Sequence, residues 1–151
     1  MNAVPDFEDM LSLFDRYGVR YLIVGGLAFI YHAKPRYTKD IDLWIDSDNE
    51  NVQSANRALQ EFGSPELMTI DAPEEVLQLG VAPNRIDLLR EVVALSFADA
   101  WPRRIVSQYG RAPANWIDLD SLLTIKSAID HPRHQEDARV LRAVRDRLKE
   151  R

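Results

Sequence analysis

The chain predicts an α+β fold, and three observations predict it. Helical and strand-like hydrophobic periods alternate through residues 1–62. Segment 40–46 alternates strictly, with its acids on one parity and Ile41, Leu43 and Ile45 on the other, and RIDLLRE alternates with Asp87 opposite Ile86 and Leu88, as half-buried strands do. Beyond residue 96 the pattern is mostly helical. The organisation expected is a single domain, with a core over residues 1–95 and a C-terminal helical extension over 96–151 packed on it.

Taken in order, residues 6–17 place Phe7, Met10, Leu11, Phe14 and Tyr17 at helical spacing, with Asp6 as a candidate N-cap and Gly18 as the stop. RYLIVGG reads as a short buried strand closed by Gly25 and Gly26, and LAFIYHA as a short helix ending before Pro35. Residues 40–46 form the next strand, and 49–62 a helix with Val52, Ala55, Leu59 and Phe62 on one face, ending at Gly63. EVLQLGV and RIDLLRE suggest a hairpin turned at Ala82, Pro83 and Asn84. A short helix at 97–102, edge strands or extended segments in RIVSQY and NWIDL, a helix over 119–130 halted at Pro132, and a last helix over 134–149 complete the chain.

Composition excludes several classes. No run of 18 apolar residues and no signal-like N-terminus is present, so a cytoplasmic location without membrane association is expected. With no cysteine, any metal is held by oxygen or histidine. A net charge of -5 argues against a general basic field for nucleic acid, although residues 133–151 carry seven Lys/Arg against four Asp/Glu. That basic helix is a solvated mixed-charge face or a docking surface for a polyanion.

In the strand 40–46, Asp40, Asp42, Trp44 and Asp46 share one parity and Ile41, Leu43 and Ile45 the other. Two carboxylates on one strand face, with Cα atoms roughly 6.6 Å apart, can close on a cation. Without a cation they repel and one pKa rises. Mg²⁺ suits such a pair because it takes one or two carboxylates together with substrate phosphates. Asp87 stands opposite the aliphatics Ile86 and Leu88 in a later strand and is a third candidate acid. Gly25 and Gly26, at a strand-to-helix turn, let backbone N–H groups and a helix N-terminus approach a phosphate.

The stretch VGGLAFIYHAKPRYTKDIDLWID followed by RIDLL resembles the nucleotidyltransferase superfamily built on the DNA polymerase β type fold. Gly25, Gly26, Ala28, Arg36, Thr38, Asp40 and Asp42 are similar in pattern to the abortive-infection and toxin-antitoxin branch. The resemblance implies a mixed β-sheet flanked by helices, with Asp40, Asp42 and Asp87 as catalytic and metal-binding residues. It implies one or two Mg²⁺ ions, Mn²⁺ substituting, and transfer of NMP from an NTP to a hydroxyl of tRNA, protein or a small molecule. Lys126 and Asp137 stand where the branch carries a lysine and a later aspartate, with Arg133 between them. A cognate toxin-antitoxin partner protein is a further implication.

Gly25, Gly26, Arg36, Lys39 and Lys126 are the nucleotide-binding candidates. Lys126 leaves a stripe of Leu122, Leu123 and Ile129, so its ammonium must reach a cleft or snorkel. Asp137 can pair with Arg133 four residues away. Trp44 either stacks on a base or packs beneath a helix. His32, His131 and His134 form no recognisable site pattern. A non-catalytic antitoxin or regulatory binding protein of the same fold is the alternative function, and an antibiotic-modifying enzyme a third.

Overall fold

The computed structural model describes residues 3–81 and 83–150, so Ala82 of the expected hairpin turn lies outside the described residues. These residues form α1 (Pro5–Arg16), β1 (Tyr21–Val24), α2 (Gly25–His32), β2 (Asp40–Ile45), α3 (Asn49–Phe62), β3 (Val76–Leu79), β4 (Arg85–Leu89), α4 (Phe97–Ala100), β5 (Ile105–Tyr109), β6 (Ala112–Trp116), α5 (Leu119–Ala128) and α6 (Pro132–Lys149). A 3₁₀ turn over Trp101–Arg103 follows α4. No helix among the described residues is long and apolar enough to cross a membrane.

The strands make one mixed sheet in the order β3-β4-β2-β1-β6-β5. β2 is antiparallel to β1 and parallel to β4, so it lies near the centre of the sheet with a partner on each side. β6 runs parallel to β1 and is covered on its outer side by β5. The segment beyond residue 96 is therefore not helical alone, and NWIDL contributes to an inner strand rather than an edge. Its start at Ala112, through Pro113, escapes a reading that treats proline as a strand breaker. Proline is tolerated because the β1–β6 pairing is confined to Ile23 and Trp116, leaving the Pro113 end without a ladder to interrupt on that side.

Both faces of the sheet are buried. Ile41, Leu43 and Ile45 point with Tyr21 and Ile23 into a core closed by Met10, Leu11 and Phe14 of α1 and Val52, Ala55 and Leu59 of α3. The opposite parity, Leu22, Val24 and Trp44, packs against Leu122 and Ile125 of α5 and Leu141 of α6. The acids of β2 thus share a face with a second core and occupy the end of it that the helices leave open. Trp44 is buried there, donating from Nε1 to the Arg90 carbonyl at 3.3 Å and meeting Phe97 edge-on, so it packs rather than offering a stacking surface. At the far end of β2, the buried Asn51 side chain bonds the Arg20 backbone and the Asp46 carbonyl, while Asp46 itself pairs with Arg20.

Helix ends depart from expectation in instructive ways. α1 opens with Pro5 in its first turn after Val4, placing Asp6 inside the helix where a carboxylate favours the dipole rather than capping it. Pro132 opens α6 instead of merely halting α5, with the His131 ring accepting from the Arg133 N–H as its cap.

Candidate functional site

Parallel pairing of β2 with β4 sets Asp42 directly beside Asp87, and Asp40 beside Arg85. Carboxylate oxygens of Asp40, Asp42 and Asp87 all lie within 4.8 Å of one another. Burial first, and then the charges of Asp40 and Asp87, push the Asp42 carboxyl up to about 7. Arg85 answers part of this repulsion. Its Nε donates to Asp87 at 2.8 Å, and its Nη2 donates to both Asp87 and Asp40 at 2.9 Å. Sequence reasoning passed over Arg85, although its parity with Asp87 was the available signal.

Gly25 explains the turn at the end of β1. Its φ is +68°, and a Cβ there would lie 2.1 Å from Asp42 Oδ2. A side chain at this position would carry backbone strain and displace the carboxylate. α2 begins at Gly25 with no side-chain cap, so its first amide groups open toward the same space. At Gly26 a Cβ would come within 3.1 Å of Thr38 Oγ1, a tighter fit of helix on loop than most side chains make.

A cleft of about 500 Å³ lies over these elements, lined by Gly25, Gly26, Asp40 and Asp42 together with Arg36, Lys39, Lys126 and Arg133. The structure thus brings Lys126 to Asp40 and Asp42, more than eighty residues away in sequence. Lys126 is buried and its ammonium lies 2.9 Å from Asp137. Asp137 also receives Arg36 through two hydrogen bonds, at 2.7 and 3.1 Å, so its partners are Arg36 and Lys126 and not the expected Arg133. Burial alone would raise the Asp137 carboxyl, but the hydrogen bonds from Arg36 and Lys126 outweigh it and hold the group below the usual range. Arg36 lies in addition over the Phe29 ring, 4.1 Å from its centroid, which makes it an anchored cation rather than an ordinary loop charge.

His134 is the other residue that sequence reasoning set aside. Its Nδ1 lies 3.1 Å from the Lys126 ammonium and accepts from it, which places the ring proton on Nε2. Burial, then the nearby ammonium, hold the imidazole below its usual range. His32 bonds the Ile117 carbonyl at 2.7 Å and belongs to the packing of α2.

The donor set suits a hard divalent cation: three carboxylates converge, no softer ligand intrudes, and Gly25 leaves the space beside Asp42 free of a side chain. Chemically, the site juxtaposes an acid cluster with four basic side chains and a helix N-terminus. That combination suits a polyphosphate carried with a cation.

Neither protein-family models nor curated proteins match the chain. Solved structures do. The lincosamide antibiotic adenylyltransferase LnuA, determined with lincomycin bound, matches with a TM-score of 0.61 at 18% identity, over 95% of this chain and 99% of LnuA. ANT(2")-Ia in complex with adenylyl-2"-tobramycin matches at 0.59 and 16% identity, over 94% of this chain and 96% of its own. A nucleotidyltransferase-like protein of Paracoccidioides brasiliensis matches at 0.52 and 13% identity, over 94% of this chain and 76% of its own. The chain has the nucleotidyltransferase fold.

Proposed function

We propose that this protein is a metal-dependent nucleotidyltransferase that moves a nucleoside monophosphate from an NTP to a hydroxyl acceptor. The observation that carries the reading is the convergence of Asp40, Asp42 and Asp87, the first two of which line a cleft that Arg36, Lys39, Lys126 and Arg133 make cationic. Two neighbours in fold support it by what they were solved with, lincomycin in one and adenylyl-2"-tobramycin in the other.

In this reading the triphosphate lies along the cleft, met by the first amides of α2 and by Arg36, Lys39 and Lys126. Asp40, Asp42 and Asp87 would hold Mg²⁺, which would supply charge neutralisation on the phosphates. Asp87 takes the acceptor proton as the hydroxyl oxygen bonds to the α-phosphorus and the bond to pyrophosphate breaks. Positioning and charge compensation carry most of such a reaction, and the cleft is built from groups that supply both. Asp137 acts through Arg36 and Lys126, fixing where their charges stand.

A second reading, binding without turnover, draws on one observation: Arg85 already compensates two of the three acids. The resemblance to the toxin-antitoxin branch would then name the protein partner. The two readings separate on incubation with α-labelled NTPs, Mg²⁺ and a panel of small-molecule, protein and tRNA acceptors. Label transfer that disappears in an Asp40→Ala/Asp42→Ala double variant supports the enzyme. No transfer, together with no NTP binding by calorimetry, rejects it.

A further inference from the structure

The acid cluster opens on two cavities. Besides the cationic cleft, a pocket of about 390 Å³ lies on the β4 side, and Asp42, Gly25, Lys126 and His134 line both. The division between the other two acids is complete: Asp40 lines the cationic cleft and not the pocket, Asp87 the pocket and not the cleft. The chemistry of the walls divides as well. The cleft carries Arg36, Lys39, Lys126 and Arg133; the pocket is walled by aliphatics from β1, β3, β4, α5 and the segment after β4, with Asp42, Asp87 and Glu91 against Lys126.

Two of those aliphatics, Val76 and Val93, are 57% and 48% exposed. Exposed valines at the rim of an otherwise apolar cavity are surface that a bound molecule could cover. The segment holding Val93 is shaped toward this end. Val92 bridges Leu95 across a tight turn, and Ala94 adopts a φ of +68°, a conformation that an alanine takes only at a cost.

We propose that this pocket is the acceptor site, and that the acceptor is a small hydroxyl-bearing molecule with an apolar body and a protonated amine. The inference rests on the nucleotidyltransferase reading and goes on to name the substrate class. A triphosphate requires the cationic cleft, which leaves the apolar and acidic pocket for the molecule that presents its hydroxyl. From there the hydroxyl oxygen bonds to the α-phosphorus, its proton passes to Asp87, and pyrophosphate departs into the cleft. The volume falls within the range of small-molecule sites. Glu91, the acid of this wall that neither the proposed Mg²⁺ nor Arg85 compensates and the one nearest solvent, favours a cationic group and repels the phosphates of a nucleic acid.

The test uses the full chain with Mg²⁺, α-labelled ATP and defined acceptors: the methyl, butyl and hexyl glycosides of glucosamine, the hexyl glycoside of N-acetylglucosamine, and unfractionated tRNA. ATP binding is measured separately by calorimetry. Transfer is expected to rise about tenfold or more from methyl to hexyl, as burying each added CH₂ is worth about 0.8 kcal/mol, and to fall on acetylation. Val76→Asn and Val93→Asn, at exposed positions that tolerate the change, are expected to raise the KM for the hexyl amine severalfold while leaving ATP affinity within about twofold. Transfer indifferent to chain length, preference for tRNA, or loss of ATP affinity in the valine variants would overturn the assignment. ATP bound and hydrolysed with no transfer to any glycoside would overturn it too, whereas absence of ATP binding overturns the underlying reading instead.

Discussion

Two clusters of charge meet at the cationic cleft, one through Asp40 and Asp42 and the other through Arg36 and Lys126, and they are balanced differently. Asp137 is closed around by Arg36 and Lys126, with both carboxylate oxygens facing a donor at hydrogen-bond distance. Asp40, Asp42 and Asp87 share the single guanidinium of Arg85, and Asp42 keeps a carboxyl pushed up to about 7. A buried charge that is fully partnered holds structure in place; one left under-compensated stores a demand that a ligand can meet. The contrast supports the proposed division, with Asp137 as scaffolding and the three acids as the ligand-binding groups.

The strongest way to break this contrast is through activity. Asp42→Asn is expected to lower nucleotidyl transfer by about a thousandfold or more, on the scale of losing one preorganised electrostatic group, while the metal-free protein melts no lower than the parent. A variant that loses both activity and melting temperature would put Asp42 among the scaffolding. Next in size is Asp137→Ala, which strands Lys126 in a buried position. It should cost about 3–5 kcal/mol, a fall in melting temperature on the order of 10 °C for a chain of this size. Calorimetry or circular dichroism checks it.

A third expectation concerns pH. Because the folded state raises the Asp42 carboxyl from near 4 to about 7, the unfolded chain loses its proton first as pH rises. The contribution is absent below the unfolded pKa, grows as a penalty between the two values, and is complete above about 7. Melting in EDTA should therefore fall from pH 5 to pH 8 by several degrees, and Asp42→Asn should flatten that slope. Mg²⁺ at pH 8 should restore much of the loss in the parent. The smallest effect is expected from Arg85→Gln, which removes the resident cation. Mg²⁺ affinity by calorimetry should rise a fewfold while metal-free stability drops; weaker Mg²⁺ binding would show that Arg85 helps to hold the metal-binding geometry.

The legible part of this molecule is the part governed by short periods. Alternation along 40–46 and 85–90 placed Asp40, Asp42 and Asp87 on strand faces, and helical spacing delimited α1 and α3 within a residue or two. Parity alone left two things out. It treated the acid face as open, because a strand buried on both sides by different helices still alternates in polarity where an acid replaces an aliphatic. It was also blind to partners set by topology. Arg36 meets Asp137 across 101 positions, and no local period announces that pairing. His134 escapes a sequence reading for the same reason, since a helix histidine acquires meaning only from what the α5–α6 packing sets beside it, whereas Arg85 shares the parity of Asp87 and only its reach to Asp40 depends on the parallel pairing. At Gly25 the sequence suggests room for a phosphate, and the structure adds a second constraint internal to the chain, room for the Asp42 carboxylate.

The parallel pairing of β2 with β4 has a kinetic consequence. Forty-five positions separate Asp42 from Asp87, and α3 and β3 must be threaded between them before the two carboxylates meet. Parallel contacts of that span are slow to form, because the chain loses loop entropy before the pairing returns anything. While β2 is unpaired, its acids are separate, solvated and mutually indifferent. Repulsion among them arises at the moment the sheet closes, so the centre opposes its own assembly and closure should be the step that a divalent cation accelerates. If the proposed site binds Mg²⁺, refolding with and without the ion would then differ in rate at the sheet-closing phase, and the ion would act as an assembly factor for the strand pair.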